Sequence, residues 1–129
     1  MGLVETFAVF MGGGIGAVLR YLFSVLARHK FGITYWATFL INVLGCVFLG
    51  AIMGLSLQQP NLIPLNLKFF LATGIAGGFT TFSTFSQENI DLLKSGKTYT
   101  SLAYIFSSLI CGFAGIYAGF ELINLINLH

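Results

Sequence analysis

The chain has 129 residues, of which six are basic, four acidic and 57% hydrophobic, and its mean hydropathy is +0.91. Charged residues make up 8%, against about 25% in soluble domains, so a soluble enzyme or secreted scaffold is excluded. A net charge of +2 is too small for a nucleic-acid footprint, which leaves a small integral membrane protein surrounded by lipid.

A helical span needs about 20 mostly apolar residues. The sequence predicts four, at about residues 3–27, 35–57, 67–93 and 101–125, filling 1–129 as a single transmembrane domain. The first has no basic leader and carries Arg20 inside its apolar run, so it reads as a retained span rather than a cleaved signal. Arg20 keeps its charge. Either it snorkels to the interface, or it attracts an anion or holds structure. Upstream, Gly12-Gly13-Gly14-Ile15-Gly16 would let another helix approach closely.

The second span places Asn42 at mid-membrane, with Thr38 one turn earlier on the same face. Asn42 reads either as interhelical glue or as an amide donor to an anion. Gly50 and Gly54 form a close-packing pair. In the third span, Gly77-Gly78-Phe79-Thr80-Thr81 is a poor helix core and predicts a break over residues 77–81. Non-helical backbone at membrane depth survives only when buried in protein or lining a cavity. Beyond it the spacing is helical again. Phe82 and Phe85 share a face, beside a polar stripe of Thr81, Thr84, Glu88 and Asp91. Aromatic ring edges are electropositive and suit an anion. The fourth span carries Tyr104 and Ser108 one turn apart, either lining one track or, for the serine, satisfying a helical carbonyl. Gly112, Gly115 and Gly119 suggest close packing.

The links are Arg28-His29-Lys30, residues 58–64 and residues 94–97. Arg28, Lys30, Lys94 and Lys97 fall on one side and Lys68 alone on the other, a bias that places both termini outside. Cys46 and Cys111 lie mid-span and read as small apolar packing. His29 and His129 sit at a link and at the terminus, so no metal-ligand or catalytic spacing is formed.

Four stretches are familiar together: Gly13 to Ala17 with Arg20-Tyr21, Thr38 to Gly45 around Asn42, Gly77 to Ser86 with Glu88, and Tyr104 with Ser108. Through them the chain resembles the Fluc (CrcB) family of fluoride channels over nearly its whole length. The resemblance implies an all-α membrane protein with four transmembrane helices per subunit, the third broken mid-membrane. It implies an antiparallel, dual-topology homodimer with two fluoride pores between the subunits. A structural Na⁺ is implied at the dimer centre, on the backbone carbonyls of Gly77 and Thr80. Phe82 and Phe85 match the family's phenylalanine box, Asn42 its pore asparagine and Arg20 its arginine near the entrance. Tyr104 and Ser108 match the polar track, and Thr38, Ser83, Thr84 and Glu88 complete the implied fluoride pathway. The implied function is passive export of cytoplasmic fluoride across the inner (plasma) membrane, which is not enzymatic. Two positions depart from the pattern: Ala37 where Gly is frequent, and Gly112 where the track can carry a further Ser. The loop bias favours one orientation, whereas the resemblance implies both. The alternative is a small four-helix secondary transporter for drugs or cations. Such a protein needs a mid-membrane carboxylate, but Glu5 opens the first span and Glu88 comes late in the third.

Overall fold

The structure, a computed structural model, describes residues 2–32 and 34–127, which leaves His129 outside the described residues. These residues are helical, with no strand among them. Helix α1 spans Leu3–Phe31 and opens with the Glu5 carboxylate accepting from the Gly2 N–H. It runs through Arg28, His29 and Lys30, so the charged trio expected as a link forms the last helical turn. Cations there face the negative end of the helix dipole. Gly32, at φ 67°, then ends the helix, its N–H donating to the Arg28 carbonyl at 2.9 Å.

Helix α2 spans Thr34–Gln58, and α6 spans Thr98–Asn127. The two lie along each other on a seam of small residues. A Cβ on Gly50 would strike the Ile116 carbonyl, one on Gly119 the Val47 carbonyl, and one on Gly54 would stand 3.1 Å from the Phe120 carbonyl. Only glycine permits this approach of backbones. At the far end Gln58 Nε2 donates to Asn124 Oδ1.

The third helix is wound in an unexpected way. A short turn, α3 (Leu65–Lys68), continues into a π-helical segment (Phe69–Ala76) and then α4 (Gly77–Phe79). The chain breaks at Thr80 and Thr81, both extended, and resumes as α5 (Phe82–Lys94). The break therefore lies at the C-terminal edge of the predicted stretch, and Gly77 and Gly78 stay helical. The glycines serve packing instead of breaking. Gly12 and Gly16 of α1 sit on the Phe70 and Ile75 carbonyls, and Gly78 sits against the Gly13 backbone.

Residues 95–97 turn α5 tightly into α6. Gly96 takes φ 73°, and the N–H groups of Gly96 and Lys97 donate to the Leu93 and Leu92 carbonyls. Three helical stretches, Leu3–Phe31, Tyr35–Gln58 and Thr98–Ile126, are long and apolar enough to cross a membrane. Their outer faces expose large apolar side chains such as Phe10, Leu26, Phe106 and Phe113. Apolar surface of that extent suits lipid rather than water, as expected of a multi-pass membrane protein.

Candidate functional site at the break of the third helix

A break leaves backbone groups without helical partners, and inside a membrane protein each must be satisfied. Asn42 of α2 does this for Thr81. Its Oδ1 accepts the Thr81 N–H at 2.8 Å, and its Nδ2 donates to the Thr81 carbonyl at 3.1 Å. One side chain thus stands in for a neighbouring strand. The Nδ2 group has two hydrogens, so one remains for another acceptor. The glue reading of Asn42 and the donor reading are chemically compatible.

Thr81 also caps α5. Its Oγ1 accepts the Thr84 N–H at 3.3 Å and lies 3.0 Å from Thr84 Oγ1 and 3.4 Å from Ser83 Oγ. On the other side of the break, the Thr80 N–H and hydroxyl both donate to the Ala76 carbonyl. The break leaves the carbonyls of residues 77–80 without their usual helical N–H partners, those of Gly77 and Thr80 among them. The Thr81 N–H would ordinarily close on the Gly77 carbonyl but goes to Asn42, and the Thr84 N–H would serve Thr80 but goes to Thr81 Oγ1. On its side-chain face, Gly77 meets nothing within 4 Å. Carbonyl oxygens without a competing carboxylate, those of Gly77 and Thr80 included, are the donor type that suits a hard monovalent cation such as Na⁺. The described residues hold no group of three or more His, Cys, Asp or Glu that could ligate a metal.

A groove of about 330 Å³ opens at the break, lined by Asn42, Cys46, Gly77, Thr80, Thr81 and Phe82 among others. Phe82 is 78% exposed and projects from the subunit. Its ring centroid lies 5.8 Å from that of Phe85, which meets Tyr104 of α6 edge-on at 5.0 Å and 71°. Ser83 and Thr84 are exposed beside them.

A second polar cluster lies further along α5. Glu88 accepts from Thr38 Oγ1 on one oxygen and from the Tyr104 hydroxyl on the other, both at 2.9 Å. Thr38 and Tyr104 are buried. A carboxylate in this setting is held by charge-assisted bonds from α2 and α6 at once. One turn beyond Tyr104, Ser108 Oγ is buried and has no hydrogen-bond partner. The carbonyl it was expected to satisfy, that of Tyr104, accepts from Ser107 instead.

Nine of the ten sequence-predicted pathway residues therefore gather around α5. Asn42, Ser83 and Thr84 group at the break, and Thr38, Glu88 and Tyr104 form the bonded cluster. Phe82 and Phe85 lie between the two, and Ser108 follows along α6. Arg20 is the exception: it is half-buried and forms no hydrogen bond or ion pair with a described residue. Two residues escaped sequence reasoning. Asn89 and Ser101 are buried and bonded to each other at 2.8 Å, directly behind the Glu88 cluster. The available signal was spacing: Asn89 falls one turn after Phe85, and Ser101 one turn before Tyr104.

Residues 7–120 match the family described as CrcB-like protein, Camphor Resistance (CrcB). The chain is 46% identical over 121 residues to the fluoride-specific ion channel FluC of Azobacteroides pseudotrichonymphae, covering 93% of this chain and 96% of that one. It is 41% identical over 114 residues to the protein of the same name from Flavobacterium psychrophilum, covering 88% and 91%. The Clostridium perfringens protein of that name is 39% identical over 125 residues, covering 96% and 97%. A break pinned by Asn42 and followed by Phe82 and Phe85 thus sits inside a match spanning nearly the whole sequence, and the chain belongs to the CrcB family.

Proposed function

We propose that the chain is the subunit of a fluoride channel, a single domain of four transmembrane helices in the plasma membrane, working as an antiparallel homodimer with lipid around it. The observation that carries this reading is the run of donors and aromatic rings from Asn42 of α2 through Ser83, Thr84 and Phe85 of α5 to Tyr104 and Ser108 of α6. Fluoride is small and accepts hydrogen bonds strongly, so hydroxyl and amide donors can replace its water. The electropositive edges of Phe82 and Phe85 can face it between donors. Phe82, exposed in the single subunit, finds its place at an interface in this reading, and so does the groove beside it. Arg20, unpaired, raises the local concentration of anions near the entrance.

In the dimer, the carbonyls of Gly77 and Thr80 would hold Na⁺. Its charge would join the subunits and lower the cost of bringing anions into a low dielectric. The protein's own part in conduction is to keep those carbonyls released, through Asn42 and Thr81, and to present donors without an acidic side chain at the break. In this reading Glu88 accepts from Thr38 and Tyr104 on its two oxygens and holds them in place rather than shuttling protons. A proton-coupled exporter would need it to do the latter.

Liposomes holding purified protein and loaded with potassium fluoride or potassium chloride test the reading. Fluoride should leave when valinomycin balances the charge, chloride should stay, and a proton gradient should make no difference. Retention of fluoride, or efflux that requires the proton gradient, would refute it.

A further inference from the structure

Asn89 and Ser101 are a polar pair where none is needed to line a path. Asn89 is 5% exposed and Ser101 is fully buried. Ser101 Oγ donates to Asn89 Oδ1 at 2.8 Å, and Asn89 Nδ2 donates to the Phe85 carbonyl at 2.9 Å. The chain therefore buries an amide and a hydroxyl that satisfy each other. Among the described side chains, the other hydrogen bond joining α5 to α6 is Glu88 to Tyr104. The two bonds are adjacent in register. Asn89 follows Glu88 directly, and Ser101 precedes Tyr104 by three residues, so that Tyr104 lies one turn on along the same helix face. Sliding α6 by a single residue would break both bonds together. The hydrophobic driving force has no direction of its own, whereas a buried hydrogen bond holds only at one register and adds to what ring packing sets. The Gly96 turn fixes how α5 meets α6 at the hairpin end, and the Asn89–Ser101 bond fixes how they meet at the level of the pathway.

We infer that the Asn89–Ser101 pair is a positioning element for fluoride permeation, setting α6 on α5 so that the Tyr104 hydroxyl meets Glu88. The inference rests on the channel reading above. Neither residue touches the ion; each acts through Tyr104.

The test is a double-mutant cycle on fluoride efflux from liposomes, with Ser101→Ala, Tyr104→Phe and the double variant. Wild-type efflux is the control: if it is absent, the channel reading fails, and the cycle is not what refuted it. With the control conducting, Ser101→Ala should remain a folded dimer by size exclusion and lose flux by about tenfold. Tyr104→Phe should lose a similar factor, and the double variant should lose no more than either single. A general weakening of the fold would not give that signature, because its effect would multiply with the second change. Wild-type flux in Ser101→Ala, wild-type flux in Tyr104→Phe, or multiplying losses in the double variant would overturn the inference. If Ser101→Ala does not fold, Ser101→Cys, which keeps the volume and a weak donor, enters the same cycle. Failure of both to fold would show that the pair serves folding alone and would also overturn it.

Discussion

The α2–α6 seam and the broken helix use glycine for opposite ends. Along the seam, Gly50, Gly54 and Gly119 remove side chains so that two unbroken helices can lie backbone to backbone. Every backbone bond there stays within its own helix, and nothing polar is released. At the third helix, Gly12, Gly16 and Gly78 bring α1 equally close to residues 65–79, but that helix is π-wound and then broken. Its released groups must find partners, and the side chains of Asn42 and Thr81 supply some of them. Close packing alone thus yields a silent scaffold. The same packing beside a break with polar side chains yields groups that can hold an ion.

The contrast makes its sharpest prediction in the seam. Gly119→Ala would drive a Cβ into the Val47 backbone with no flexible atom to yield. It should abolish the folded protein in detergent, with little monodisperse material on size exclusion. Recovery of stable, conducting protein would break the distinction drawn here.

Next in size is the aromatic pair. Phe85→Ile keeps apolar bulk but removes the aromatic ring that packs T-shaped on Tyr104. Flux per unit of folded protein should fall by about a hundredfold, as a barrier rise of about 2.7 kcal/mol would give. Phe82→Ile should do the same, and wild-type efflux in both would remove the pair from the path.

Asn42→Asp separates the two roles of that residue. The carboxylate can still accept the Thr81 N–H but meets the Thr81 carbonyl with an oxygen where a donor stood. A buried carbonyl left without a donor costs about 1–3 kcal/mol, so thermal stability should drop and flux should drop further than stability does. Equal loss of both would leave Asn42 as glue alone.

Exchange of Na⁺ for N-methylglucamine, after long equilibration, should weaken dimer association and slow efflux through loss of whatever the Gly77 and Thr80 carbonyls hold. Indifference of both to sodium would count against a site there. At the small end, Gly112→Ala would place its Cβ 3.7 Å from Cys46 Sγ, an ordinary contact, and should leave melting temperature and flux unchanged. A clear loss would mean that Gly112, on the polar track, does more than pack.

Much of this was legible in the sequence because it rests on local properties. Apolar runs, the glycines of the seam, the Phe82–Phe85 spacing and the weak helix core around residues 77–81 need no partner to be seen. The position of the break was not legible to the residue. It depends on Asn42, 39 residues away, taking the Thr81 N–H, and two adjacent glycines looked like the weaker point. The π winding of Phe69–Ala76, which lies against Gly12 and Gly16, leaves no periodic trace over eight residues. Arg28 to Lys30 read as a link because charge normally ends an apolar span, yet a helix C-terminus also welcomes cations. Asn89 and Ser101 looked like ordinary polar residues near the ends of spans; only the fold brings them together.

The central claim is passive, selective conduction of fluoride, and the reversal potential of the purified protein in a planar bilayer tests it most directly. With fluoride concentrations differing across the membrane and chloride equal, the current should reverse at the fluoride equilibrium potential. It should stay there when the chloride or proton gradient is changed. Reversal that tracks chloride or protons, or the absence of any fluoride current from folded protein, would contradict the account.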